Sequence, residues 1–111
     1  MQMKERVETI LGGFLKRNED YVVYAYLRNG ITERMFTHMT LFNRRIEEGE
    51  QDFRVEWNKD DVIFNQSCSI PYEEVMSCYE ETDEYGQESV YIVFKNGMIA
   101  TFECCGELME K

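Results

Sequence analysis

Two short stretches decide most of what this chain can become, because each sets Asn-Gly behind a run of aromatic and β-branched residues. In the first, Tyr21-Val-Val-Tyr-Ala-Tyr-Leu-Arg28 leads into Asn29-Gly30 and then Ile31 to Phe42. Asn and Gly tolerate the positive φ that a tight two-residue reversal needs, so residues 21 to 42 are predicted to form a β-hairpin. Near the other end, Val90-Tyr-Ile-Val-Phe-Lys-Asn-Gly-Met98 repeats the frame of Val23-Tyr-Ala-Tyr-Leu-Arg-Asn-Gly-Ile31. The repeat reads either as a duplicated unit or as two favourable hairpins that converged on one grammar, and the flanks do not align. On both readings the chain is committed to antiparallel strands.

The start is different. Met3, Val7, Ile10, Leu11, Phe14 and Leu15 recur at helical spacing, which predicts one helix over about 3–17 with a single apolar face. Gly12 and Gly13 lie inside it, so docking must stabilise the helix, and a close neighbouring backbone is expected there, a sheet being the natural one. Phe53, Val55 and Trp57 alternate with Arg54 and Glu56, a turn follows at 58 to 61, and Val62-Ile-Phe64 begins another strand. Pro71 before Tyr72-Glu-Glu74 allows a short helical turn. Val75 to Thr82 extends again, 83 to 88 reads as a loop, and 104–111 as a tail. One helix and about six or seven strands make an α+β domain with a strongly curved antiparallel sheet or small barrel.

At 111 residues the chain is expected to be one domain with a core that needs no staples. Its apolar runs are too short to cross a bilayer, and Met1 to Arg6 does not resemble a secretory leader, so a cytoplasmic location is expected. Cys68, Cys78, Cys104 and Cys105 show no zinc spacing and read as reduced, partly buried thiols. Residues 1–45 carry eight basic and five acidic side chains, a net +3, whereas residues 46–111 carry four and seventeen, a net −13. The densest acidic run is Glu73, Glu74, Glu80, Glu81, Asp83, Glu84 and Glu88, with no basic residue among them. Such a run repels nucleic acid and anionic membrane and attracts basic surfaces; its other reading is a solvated face that keeps the protein soluble.

The strand into Tyr-Leu-Arg-Asn-Gly-Ile at 26 to 31, behind a helix and before a long strand ending near Leu41-Phe42-Asn43, resembles the opening of bacterial Sm-like RNA chaperones. That family is a five-stranded ring-forming barrel that binds RNA. This sequence has Met35 where the family's bend carries glycine, lacks its Tyr-Lys-His element and adds a second hairpin, so no RNA-binding residue carries over. Ser-Ile-Pro-Tyr-Glu-Glu-Val at 69 to 75, with the strand, acidic loop and Lys-Asn-Gly hairpin that follow, looks like bacterial pleckstrin-like domains, which end in a helix absent here. Both resemblances imply a small barrel-like shape and no particular function.

Catalysis finds little support. His38 is the sole histidine, and its reading as an ordinary sheet residue is preferred over a Cys/His pair with Cys68 or Cys78. The acidic loop lacks the ligand spacing of an EF-hand, and no glycine-rich phosphate loop is present, so no cofactor, no metal and no enzyme activity are expected. Direct nucleic-acid binding is disfavoured by the overall charge. Lys16, Arg17, Arg28, Arg34, Arg44 and Arg45 form the one conceivable basic patch, among Tyr21, Tyr24 and Tyr26, although these rings are expected to pack under the helix.

The sequence therefore points to a non-enzymatic module that binds a basic protein surface, in the manner of small acidic phage or anti-CRISPR-like inhibitors that imitate a nucleic acid. Its expected contacts are Glu73, Glu74, Tyr79, Glu80, Glu81, Asp83, Glu84, Tyr85 and Glu88. The alternatives are a self-assembling barrel and a small-ligand or peptide-binding barrel with Trp57 in the lining.

Overall fold

The computed structural model describes residues 2–29, 34–41, 44–57 and 66–108, with the backbone alone at 34–41, 66 and 105. The predicted helix forms: α1 (Met3–Val7), a wider π-helical turn (Glu8–Gly12) and α2 (Gly13–Arg17) run on with helical φ and ψ at each junction. Val7, Leu11, Phe14 and Leu15 are its buried stripe. A Cβ on Gly12 would stand 3.3 Å from Glu48 Oε1 and 3.4 Å from the Phe53 ring, so the close approach expected here is to side chains rather than backbone. At Gly13 it would meet only Arg17, at 3.7 Å. Beyond α2, Asn18 Nδ2 donates to Phe14 O and the Arg44 guanidinium donates to Asn18 O, satisfying carbonyls that a helix end leaves open, and Arg44 donates also to Tyr21 O at the start of the first strand.

Among the described residues eight strands follow: β1 (Tyr21–Asn29), β2 (Arg34–Leu41), β3 (Arg45–Glu48), β4 (Asp52–Trp57), β5 (Gln66–Pro71), β6 (Val75–Thr82), β7 (Glu88–Phe94) and β8 (Met98–Leu108). They pair antiparallel in a five-stranded sheet, β2-β1-β8-β7-β6, and a three-stranded sheet, β3-β4-β5. The α+β class thus holds, and the pairings among the described residues are those of two separate sheets. A 3₁₀ turn at Tyr72–Glu74 behind Pro71 carries the chain from the second sheet to the first.

Several boundaries differ from the sequence reading. β3 was not expected, since Arg45-Ile-Glu-Glu48 offers one apolar residue and no visible period. The supposed tail is largely strand, because β8 continues to Leu108, which pairs with Tyr21. Asn29 pairs with Arg34 and so belongs to the ladder, not to a two-residue turn with Gly30. The second hairpin closes through the three residues 95 to 97: Gly97 donates to Phe94 O at 3.0 Å with φ of 90°, and Asn96 Oδ1 accepts from Met98 N–H. The reversal after Gly30, the turn at 58 to 61 and the strand beginning at Val62 lie outside the described residues.

One core joins the helix to both sheets. Phe14, Leu11 and Leu15 pack with Phe53, Val55 and Ile70 of the small sheet and with Val23, Val90, Ile92 and Phe102 of the large one. The large sheet thereby acquires an inner face, toward the helix, and an outer face. At its β6 edge Arg6 Nε donates to Cys78 O at 2.6 Å, so the helix occupies part of an edge otherwise open to another strand. Among the described residues, no helix is long and apolar enough to cross a membrane.

Candidate functional site

Strand alternation places successive side chains on opposite faces, and the register fixes which ones become neighbours. On the outer face of the large sheet Tyr79 of β6 lies opposite Tyr91 of β7, Tyr91 opposite Thr101 of β8, and Thr101 opposite Tyr26 of β1. The next row reads Glu81, Ser89, Glu103, Tyr24 across the same four strands. Tyr79 and Tyr91 stack with centroids 5.1 Å apart and planes 20° from parallel. Tyr24 Oη donates to Glu107 Oε2 at 3.0 Å. Thr101 and Ser89, 5% and 8% exposed, are walled in between these larger neighbours. The result is a face of tyrosines and carboxylates.

The nine residues singled out from the sequence do not form one patch. Glu73 and Glu74 sit in the turn before β6, whereas Glu81 is seven residues further along, about 23 Å at strand rise. Glu80 and Glu88 turn to the inner side, where Arg17 at the helix end meets Glu80 at 3.1 Å and Glu88 at 3.4 Å. Asp83 organises its own loop: its Oδ1 accepts from Tyr85 N–H and Gln87 N–H. Glu84 and Tyr85 are exposed in that loop, Tyr85 at 87%. Of the original set only Tyr79 and Glu81 sit on the strands of the outer face, and Asp83 reaches its acidic end from the loop.

Tyr24 and Tyr26 correct another expectation. They stand half-buried on the outer face, while Val23 and Ala25 take the buried places on the inner face. Nor do the basic residues gather around them. Lys16 pairs with Glu48, Arg17 with Glu80 and Glu88, and Arg45 with Glu56. Arg44 is turned onto backbone carbonyls, and its burial lowers its pKa against the opposing pull of Cys104 and Glu19. Arg28 lies within β1, and the side chain of Arg34 is outside the described residues.

Two pockets bear on function. One, of about 250 Å³, opens at the acidic end of the outer face between Glu81, Asp83, Ser89, Tyr91 and Glu103. The other, of about 310 Å³, is mostly apolar and lies over Ala25, Leu27, Ala100 and Phe102, with Cys68 and Pro71 across from them and Glu74 among its lining. Trp57, expected to line a ligand cavity, is not among the residues of either.

Burial raises the pKa of Cys68, and it raises that of Cys78 to about 11, Arg6 opposing and Glu80 adding to the effect. Thiols held protonated are poor nucleophiles and poor metal ligands. His38 is paired through its backbone with Tyr26, and its side chain lies outside the described residues. Among the described residues no three of His, Cys, Asp and Glu come together as a metal-binding group.

No family model and no curated protein matches the chain. Among solved structures, the crystal structure of the Bacillus subtilis YojF protein aligns with a TM-score of 0.46 at 14% identity, over 97% of this chain and 94% of that one. A likeness of that order decides neither fold nor function.

Proposed function

We propose that this protein is a non-enzymatic binding module whose outer tyrosine-carboxylate face engages a basic protein surface. The observation that supports the reading is the alignment of Glu81 and Glu103 beside the Tyr79, Tyr91 and Tyr26 row, on the side of the sheet away from the helix. Tyrosines supply rigid contact area and π-faces for cations, and carboxylates supply complementary charge. In its specific form the partner is a nucleic-acid-binding protein inside the cell, and the face occupies the channel meant for phosphates, as a phage-type inhibitor would. The test is affinity capture from nuclease-treated lysate with elution by a salt gradient. Wild type retains a basic protein that salt and free DNA both displace; Glu81→Arg with Glu103→Arg does not. Equal retention by both versions would sink the reading.

A second reading rests on the apolar pocket. Ala25 and Ala100 leave room over the inner face of β1 and β8, and about 310 Å³ is on the scale of a small-molecule site. Glu74 in the lining favours a ligand with an apolar body and a neutral or cationic head.

A further inference from the structure

Resting on the reading of the outer face as a binding surface, we propose that the pocket over Ser89 receives one arginine side chain of the partner. Its construction is unusual for a merely solvated acidic edge. Glu81, Ser89 and Glu103 are direct neighbours on three adjacent strands, so the two carboxylates flank the serine from either side, about 10 Å apart at their Cα atoms. Glu81 and Glu103 make no ion pair among the described residues, unlike Glu80 and Glu88 next to them. Asp83 adds a third carboxylate from the loop, and Tyr91 forms a wall.

The floor points to a ligand independently of the charge. Ser89 is 8% exposed, lines the pocket, and its hydroxyl makes no hydrogen bond among the described residues. Unlike the fully enclosed Thr101 Oγ1 in the adjoining row, this hydroxyl keeps contact with solvent, and the open pocket is where a partner can reach it. The carboxylates are not gathered as a metal-binding group, and about 250 Å³ is far more than one ion needs, so an extended cation fits better. Among protein side chains that is arginine. Its five N–H donors spread in a plane toward separate acceptors, here Glu81 on one side, Glu103 on the other and the Ser89 oxygen below. Lysine brings its three donors on one atom, a point charge without the planar fork that reaches widely separated acceptors. Asp83 contributes mainly charge, since its Oδ1 already holds Tyr85 and Gln87.

The experiment compares two end-blocked nine-residue peptides, (Gly-Ser-Arg)3 and (Gly-Ser-Lys)3, by calorimetric titration of the full chain. The arginine peptide is expected to bind at least tenfold more tightly. Ser89→Ala and Glu103→Gln should each shrink that preference severalfold, while Ser89→Thr, which keeps the hydroxyl, should preserve most of it. On the wild-type protein the arginine peptide should shift the amide resonances of Ser89, Tyr91 and Glu103, a readout that needs no variant to fold. Equal affinity for the two peptides, an unchanged preference in Ser89→Ala, or shifts confined elsewhere would overturn the arginine pocket and leave the acidic face standing. Binding of neither peptide would overturn both.

Discussion

At the scale of single residues, burial sets chemistry that composition cannot show. The Cys78 thiol is pushed from an ordinary 9.0 to about 11, chiefly by desolvation, and the Tyr72 phenol from 10.0 to about 12 by desolvation and then by Glu8, Glu48 and Asp52. In both cases the unfolded chain releases its proton first as pH rises. Between the two values the unfolded state holds fewer protons than the folded one, so stability falls with rising pH. Cys78 contributes in full below pH 9 and loses its contribution by about pH 11; Tyr72 does the same between 10 and about 12. Urea midpoints measured across that range should decline, and Cys78→Ala should flatten the lower part of the decline. A wild-type curve level from pH 9 to 11 would contradict this. The sequence showed the cysteines but not their depth, and it misplaced Tyr24 and Tyr26. Val23 and Ala25 alternate with them, both sets are apolar enough to be core, and only the assembly of the common core over the smaller pair settles the choice.

Among elements, the long periodic ones were legible and the short ones were not. Helical spacing found the N-terminal helix, and Asn-Gly found both hairpins, because those signals are local. The registers were hidden: nothing near Ser89 announces that Glu81 and Glu103 will be its neighbours, since those contacts join strands distant in sequence. Ser89, Tyr91 and Glu103 were missed for that reason, although period two already set 89 and 91 on the face opposite Val90 and Ile92. The helix itself offers a test of why its glycines are there. Gly13 has ordinary helical angles, φ −61° and ψ −43°, and little around its Cβ position, so Gly13→Ala should stabilise the protein by about 0.5 to 1 kcal/mol. Gly12→Ala should gain less or lose, because its methyl meets Glu48 and Phe53. Urea unfolding with an unchanged denaturant slope measures both. Equal gains at the two positions would show that the Phe53 contact yields freely.

For the whole molecule the question is whether net charge or its placement governs association. A formal charge of −10 attracts any basic partner at low salt, wherever the carboxylates lie. Placement matters only within about 8 Å at physiological ionic strength. The acidic residues divide naturally for this test, because Glu73 and Glu74 lie about 23 Å along β6 from Glu81, well beyond that range. Glu73→Lys with Glu74→Lys changes the net charge by the same amount as Glu81→Lys with Glu103→Lys. If the outer face is the binding surface, the first pair of changes leaves affinity for the arginine peptide within about twofold of wild type in 0.15 M salt. The second lowers it at least tenfold, and both slow association similarly at low salt, where the field is felt at long range. Equal losses at 0.15 M salt would mean that charge alone draws the partner and that the ordered rows of tyrosine and glutamate serve solubility. Unequal losses in the predicted sense tie recognition to three strands, β6, β7 and β8, that the chain assembles only by folding.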